Sequence, residues 1–169
     1  MKMEVSSAVH NIAPVWNTDS KILILGSFPS VKSREMQFFY SYKYNRFWQV
    51  VSAVTGEVCP QSIAEKKAFL LRTHIALWDV IASCDIAGSS DSSITNVRVN
   101  DVAKITSSAP IAAVFANGAK SGSLYKKYLE KETGMPAVVL PSTSPANAAY
   151  SLERLVEAWR VILPYLHCS

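Results

Sequence analysis

The chain has 169 residues, 49% of them apolar and 18% charged, and its 17 lysines and arginines outnumber its 13 acidic residues. This composition indicates one folded domain and excludes a repeat array or a long disordered tail. The apolar runs are too short to cross a bilayer, and residues 1–20 lack the apolar stretch of a secretory signal. We therefore predict a cytoplasmic protein without membrane spans, whose net charge of +4 suits a polyanionic partner.

Short apolar runs rich in Val, Ile, Leu and Ala predict four buried parallel strands, at residues 22–27, 75–80, 111–116 and 137–140. Segments with helical periodicity separate them, at residues 47–54, 62–72, 100–107, 119–131 and 152–166. Ser62 opens a capping box, Asn100 is a candidate cap, and Pro164 is expected to end or kink the last helix. The alternation predicts a three-layer α/β/α sandwich with a central four-stranded parallel sheet.

Polar residues and glycines follow all four predicted strands. They are residues 27–30, Asp79, Asn117 with Gly118, and residues 141–145. Ligands of open parallel sheets bind beyond the carboxyl ends of the strands, because the loops there can carry polar groups. We expect the functional site at this edge and interpret Asn117 and Gly118 as a structural turn.

The stretch from Phe28 to Arg46 is rich in aromatic and basic residues and has no clear helical or strand period. It contains six aromatics, four basic residues and one acid. Aromatic faces can stack on bases and basic groups can contact phosphates, which is typical of nucleotide binding. A large loop whose aromatics pack on the core is the alternative.

Three motifs resemble the hypoxanthine-DNA glycosylase branch, family six, of the uracil-DNA glycosylase superfamily. They are Gly26-Ser-Phe-Pro-Ser30, Tyr44-Asn-Arg-Phe-Trp48 and Leu140-Pro-Ser-Thr-Ser-Pro-Ala-Asn147. The resemblance implies a uracil-DNA glycosylase-like fold and one DNA glycosylase domain over residues 1–169, with residues 1–20 packing on the core or partly flexible. It also implies a monofunctional enzyme of base excision repair that hydrolyses the N-glycosidic bond of a flipped deaminated base, above all hypoxanthine, and leaves an abasic site.

The resemblance implies that Asn45 is the catalytic residue. Uracil-cleaving relatives carry Asn or Asp where this chain has Phe28, whereas the hypoxanthine branch depends on the asparagine before Arg-Phe-Trp. A carboxamide would orient the attacking water rather than deprotonate it, which suits an oxocarbenium-like transition state. A plain helix N-cap is the alternative role for Asn45.

Five residues are the candidates for binding the base. Ser27 and Phe28 come from the first motif, Tyr40 is the expected stacking residue with Phe39 as its rival, and Asp79 stands where relatives usually have Asn. The Asp79 carboxylate could accept the N1–H of hypoxanthine. For Tyr40 and Phe39 the alternative is packing in the core. For Asp79 the alternative is capping of the following loop or pairing with a basic residue.

Phosphate contacts are expected from the third motif, at Ser142 and Ser144, together with Ser30 and Arg46. A Ser/Thr-rich turn without a ligand is the alternative. Uracil-cleaving relatives place His or Asn at the position of Leu140 and a leucine wedge near Ser144, and this chain has neither.

No metal or other cofactor is predicted. The three cysteines, Cys59, Cys84 and Cys168, lie far apart, which fits neither a zinc site nor an iron-sulfur cluster. The glycine-rich, Walker and Ser-elbow motifs of dinucleotide enzymes, P-loop enzymes and serine hydrolases do not occur. We expect a monomer that binds DNA containing deaminated bases; the alternatives are a mismatch-specific uracil/thymine-DNA glycosylase and a non-catalytic binder of damaged DNA.

Overall fold

The computed structural model describes residues 4–167, so residues 1–3 of the N-terminal segment and Cys168 lie outside the described residues. In chain order the elements are β1 (Val5–Val9), β2 (Ile22–Gly26), α1 (Val31–Met36), α2 (Phe47–Thr55), α3 (Ile63–Arg72), β3 (Ile75–Asp79), β4 (Ile81–Ala87), β5 (Thr95–Val99), α4 (Ala103–Ser108), β6 (Ala113–Asn117), α5 (Ala119–Tyr128), α6 (Glu130–Thr133), β7 (Ala137–Leu140), α7 (Leu152–Trp159) and α8 (Leu163–Leu166). Within residues 4–167, no helix is both long and apolar enough to span a membrane.

A four-stranded parallel sheet in the order β3-β2-β6-β7 forms the centre of the fold. Every residue of β2 and β3 is buried, so other elements cover both faces of the sheet at these strands, whereas Val138 and Val139 of the edge strand β7 are exposed. The predicted α/β fold class is therefore confirmed. The predicted strands agree with the observed ones to within two residues at each end, because strands buried on both faces are continuous apolar runs.

The predicted helices agree where local signals define their ends. The capping box at Ser62 is confirmed, since its hydroxyl accepts a hydrogen bond from the N–H of Glu65. The predicted helix 119–131 breaks at Leu129 into α5 and α6. The last helix ends at Trp159 and continues as a 3-10 turn before α8, because Pro164 has no N–H for the carbonyl four residues earlier.

Asn100 does not cap a helix, and that prediction was wrong. Helix α4 begins three residues later, at Ala103, without a side-chain cap. The Asn100 side chain instead donates to the carbonyls of Asp79 (2.9 Å) and Ile81 (3.3 Å). It thereby ties the end of β5 to the junction of β3 and β4, and the helix begins too far along the chain for Asn100 to be its N-cap.

A second sheet, antiparallel and in the order β1-β4-β5, was not predicted. Strands β1 and β5 are largely exposed, and β4 follows β3 after one residue, so that in residues 75–81 only Asp79 separates the apolar residues of the two strands. The N-terminal segment reaches the core through this sheet and through Val15, which pairs with Leu77 of β3. A short helix, α1, also lies in the stretch where the sequence showed no period.

Candidate active site

The loops at the carboxyl edge of the parallel sheet enclose a cleft of about 480 Å³. The register aligns Gly26 with Asp79 and Asn117 with Leu140, so the four strands end at one level. All predicted site residues except Arg46 line this cleft, namely Ser27, Phe28, Ser30, Phe39, Tyr40, Asn45, Asp79, Ser142 and Ser144. The strand ends thus meet at one site, as the order of the motifs indicated.

The side-chain oxygen of Asn45 is held by two donors. Asn45 Oδ1 accepts hydrogen bonds from the N–H of Phe47 (2.9 Å) and from the hydroxyl of Thr143 (2.8 Å). Because both partners donate, the oxygen must face them, and Nδ2 is the end available to a ligand in the cleft. Asn45 therefore satisfies the first N–H of α2, although the N-cap residue itself is Arg46, and still lines the cleft.

Thr143, which is fully buried, sets the direction of these hydrogen bonds. Its N–H donates to Asn117 Oδ1, and Asn117 Nδ2 donates to Thr143 Oγ1, both at 3.0 Å. The threonine hydroxyl therefore donates its own proton to Asn45. Asn117 lines the cleft as well, so the interpretation of Asn117 as a structural turn was too narrow.

Arg46 has a structural role in the loop after β7, and its contact with a phosphate stays a prediction. Its guanidinium donates to the carbonyls of Ser144 (2.9 Å), Asn147 (3.1 Å) and Tyr150, and its N–H donates to the carbonyl of Thr143 (3.1 Å). A planar guanidinium has several N–H donors, so it can bind several carbonyl groups at once. These hydrogen bonds fasten the loop after β7 to the start of α2.

Tyr40 packs on one side against Phe47, with 4.2 Å between ring centroids and 22° between the ring planes. Its φ of 51° lies in the left-handed region, which is uncommon for a residue with a side chain. Burial raises the pKa of the Tyr40 phenol far above its usual value, the Asp79 carboxylate raises it further, and the Asn117 side chain lowers it. The phenol therefore stays protonated at physiological pH.

Phe39 belongs to the core and is a poor candidate for stacking on a base. Only 1% of Phe39 is exposed, and its ring packs edge-on against His10 and Phe38. Phe28 is also buried, with the Arg34 guanidinium 5.2 Å from its ring centroid. Of the three aromatics proposed for the base, Tyr40 keeps the most exposed surface.

The Asp79 carboxylate is buried beside a histidine that was not predicted to belong to the site. His10 Nε2 lies 3.1 Å from Asp79 Oδ2, and the two side chains are 0% and 4% exposed. A Cβ at Gly26 would overlap Asp79 Oδ1 and lie 3.0 Å from Tyr40 Oη, so this position needs glycine. His10 gave no local signal in the sequence, because only the pairing of β1 with β4 brings it to Asp79.

Two serine hydroxyls of the third motif keep a free proton. Ser142 Oγ accepts from the N–H of Ser144, and Ser144 Oγ accepts from the N–H of Ala146, both at 3.1 Å. Each hydroxyl uses only its acceptor side in these bonds, so each can donate to a phosphate oxygen. Gly118, at φ 97°, lets Ser142 approach, since a Cβ there would lie 3.2 Å from the serine Cβ.

The other two predicted serines are occupied. Ser27 donates its hydroxyl proton to Asp91 Oδ1 (2.9 Å), and Ser30 caps α1 through the N–H of Ser33 while lying 3.2 Å from that residue's hydroxyl. Asp91 and Ser89, which the sequence did not single out, reach the cleft from the loop between β4 and β5. The antiparallel sheet therefore builds one wall of the site.

The described part of the chain offers few groups to a metal ion. Among residues 4–167, no cluster of three or more His, Cys, Asp or Glu side chains could hold one. Cys59 and Cys84 are free thiols, the former half-buried and the latter buried.

Most of the chain, residues 13–163, matches the family described as the Uracil DNA glycosylase superfamily. The chain belongs to this superfamily. Two relatives of this superfamily member are both named hypoxanthine DNA glycosylase. The one from Methanosarcina acetivorans is 35% identical over 150 residues, which are 88% of this chain and 93% of the relative. The one from Methanosarcina barkeri is 33% identical over 149 residues, which are 86% and 92% of the two chains.

The fold of this uracil-DNA glycosylase superfamily member also matches a solved structure. That structure, determined by solution NMR for a protein from Methanosarcina acetivorans, has a TM-score of 0.79 and 33% sequence identity, and the match covers 93% of this chain and 97% of that one. The family resemblance drawn from the three motifs is thus confirmed. His10 lies before residue 13, where the family match begins.

Arg46→Met should destabilise the protein, because it removes the donors that hold the loop after β7. We expect a loss of about 3 kcal/mol in the free energy of unfolding, which corresponds to roughly 6–12 °C in melting temperature. Arg160→Met is the matched control, since among residues 4–167 the ion pair of this exposed arginine is with Glu157, and its loss should cost about 0.5 kcal/mol or less. An unchanged melting temperature for Arg46→Met would contradict the structural role.

Proposed function

We propose that this chain is a monofunctional DNA glycosylase that hydrolyses the N-glycosidic bond of flipped hypoxanthine and leaves an abasic site. The observation that carries the proposal is the Asn45 carboxamide, whose oxygen is held by Phe47 and Thr143 while Nδ2 remains available at the cleft. The names of the two Methanosarcina relatives support hypoxanthine as the base.

The chemistry needs a positioned water more than a strong base. N-glycosidic cleavage passes through an oxocarbenium-like state at C1′ of the deoxyribose, and attack on that cation depends mainly on orientation. Since Asn45 Oδ1 is occupied, the water would accept a hydrogen bond from Nδ2 and direct a lone pair at C1′. The water's hydroxyl group joins C1′, and its remaining proton goes to the departing base.

The flipped base would lie between Tyr40 and the loop after β2. A cleft of about 480 Å³ has room for a purine, and the free surface of Tyr40 can cover its face. Asp79 lies at this end of the cleft as a hydrogen-bond acceptor for the N1–H of hypoxanthine. Adenine carries a lone pair instead of a hydrogen at N1, so the same carboxylate would repel this edge of the base.

Hypoxanthine is proposed over uracil because two groups that uracil excision uses are replaced by apolar ones. Phe28 occupies the position of the water-orienting Asn or Asp of uracil-cleaving relatives. Leu140, which is 4% exposed at the end of β7, replaces the side chain that would stabilise charge on the departing uracil. A mismatch-specific uracil/thymine glycosylase stays the second candidate, since Asp79 could also accept the N3–H of uracil or thymine.

Binding of the DNA strand is proposed to rest on the third motif and on the positive net charge of +4. Ser142 and Ser144 have free hydroxyl protons for phosphate oxygens on either side of the flipped nucleotide. We further propose that residues 1–169 act as one DNA glycosylase domain, as a monomer and in the cytoplasm. Light scattering of the protein with and without DNA tests the monomeric state.

Asn45→Ala should lower single-turnover release of hypoxanthine by about a hundredfold or more, as the loss of a positioned group at the reacting centre does. Thr143→Val should lower it by roughly tenfold, since Asn45 then keeps one of its two donors. Both variants should still bind duplex DNA, which separates a catalytic loss from a binding loss. A wild-type rate in Asn45→Ala would leave this residue with its capping role alone.

Duplex affinity should fall steeply with rising salt, because phosphate contacts release counterions. Ser142→Ala should weaken binding without changing base preference, as phosphate contacts carry no base information. Ser107→Ala, on the exposed face of α4, is the control with wild-type affinity. Fluorescence anisotropy at several salt concentrations measures this, and a flat salt dependence would contradict DNA binding.

Otherwise identical duplexes carrying deoxyinosine, deoxyuridine or deoxyadenosine should be cut in that order of rate. We expect deoxyadenosine to react at least about a thousandfold more slowly than deoxyinosine, because its N1 cannot donate to Asp79. Cleavage of the abasic sites by alkali gives the rates. Faster release of uracil would favour the mismatch-specific alternative, and binding without release of any base would favour a non-catalytic binder.

A further inference from the structure

A buried histidine from the N-terminal segment contacts the carboxylate proposed to read the base. His10 follows β1, its N–H donates to the carbonyl of Ala82 in β4 (2.8 Å), and its side chain is closed to solvent. Its Nε2 lies 3.1 Å from Asp79 Oδ2. Family similarity does not assign it a role, because the family match begins at residue 13.

The hydrogen bonds of His10 determine where its proton lies. Nδ1 accepts from the N–H of Ile12 (3.1 Å), so a neutral ring carries its hydrogen on Nε2, facing Asp79. The ring centroids of Phe28 and Phe39 lie 5.9 and 6.2 Å from the ring centroid of His10, so these two rings confine the imidazole. His10 is therefore held as a fixed donor.

The two oxygens of Asp79 have different surroundings. Oδ2 is buried and faces His10, whereas Oδ1 lies beside Gly26, which lines the cleft. His10 Nε2 and Asp79 Oδ2 are 3.1 Å apart but are not aligned as a hydrogen bond, and within residues 4–167 neither atom has a hydrogen-bond partner. Each is within reach to satisfy the other after a small turn of the carboxylate, which favours an orientation with Oδ2 toward His10 and Oδ1, an acceptor, toward the cleft.

We infer that His10 is a positioning residue for base recognition, which holds Asp79 so that Oδ1 accepts the N1–H of a lactam purine. The inference rests on the proposed function and specifies its substrate class. Bases with an N–H beside a carbonyl, such as hypoxanthine and xanthine, meet the acceptor. Adenine and 1-methylhypoxanthine, which lack that hydrogen, do not.

Asp79→Asn tests whether His10 sets the orientation. The His10 N–H would hold the amide oxygen, and the amide NH₂ would take the place of Oδ1. The cleft would then present a donor, which opposes the N1–H of hypoxanthine and suits the N1 lone pair of adenine. A histidine that only fills space would leave the amide free to turn its oxygen to the base.

Single-turnover rates on deoxyinosine and deoxyadenosine duplexes would be measured for wild type, Asp79→Asn, His10→Phe and the double variant, with His167→Phe as the exposed histidine control. Asp79→Asn should slow hypoxanthine release by about a hundredfold and raise the adenine-to-hypoxanthine rate ratio. The double variant should release hypoxanthine about tenfold faster than Asp79→Asn, because the freed amide can rotate. Phenylalanine keeps the aromatic packing of His10.

The inference is overturned where Asp79→Asn keeps the wild-type rate and preference, or where a folded double variant is no faster than Asp79→Asn. Thermal melts show which variants fold. If His10→Phe does not fold, the rates of Asp79→Asn with His10 intact still test whether His10 sets the orientation of residue 79. Wild-type protein that releases no base from deoxyinosine overturns the proposed function and with it this inference. Hypoxanthine release by wild type, with an unchanged preference in Asp79→Asn, overturns the inference alone.

Discussion

Hydrogen bonds between the start of α2 and the loop after β7 hold together the two segments on which the cleft depends. The Arg46 guanidinium gathers carbonyls of the loop, and this brings Thr143 within 2.8 Å of Asn45, 98 residues away in sequence. Without these hydrogen bonds, DNA binding would have to order the loop after β7, at a cost in conformational entropy. The orientation of the Asn45 carboxamide is thus a consequence of loop anchoring.

The two sheets contribute different residues to the cleft and its surroundings. The parallel sheet supplies Asn45, Asn117 and Thr143 through the loops at its carboxyl edge, and these residues form one directed chain of hydrogen bonds. The antiparallel sheet supplies His10 and the loop that carries Asp91. Of the two carboxylates that line the cleft, Asp79 comes from the end of β3 in the parallel sheet and Asp91 from the loop of the antiparallel sheet.

The placement of the carboxylates is informative because DNA is a polyanion. A carboxylate near a phosphate would weaken binding, since like charges repel. Asp79 avoids this cost by being buried beside His10, and Asp91 is bound by the Ser27 hydroxyl. The hydroxyls of the serines after β7 are neutral, and this arrangement agrees with the proposed roles of the serines at the phosphates and of Asp79 at the base.

Features encoded by short stretches of sequence were predicted well. Buried parallel strands appear as apolar runs, and the Ser62 capping box depends on residues three apart, so the central sheet and α3 could be read locally. The shared edge of the strands placed Ser27, Asp79 and Ser142 in one site, because parallel strands all end on the same side. Motif order was enough to recognise the family.

Only the tertiary structure assigned the partner of each polar or aromatic side chain. Residue type alone did not show that the Arg46 guanidinium binds loop carbonyls or that only 1% of Phe39 is exposed. His10 joined the site through the unpredicted pairing of β1 with β4. The physical reason is shared: residue type determines which bonds and contacts a side chain can make, whereas the packing of segments distant in sequence determines which of them it makes.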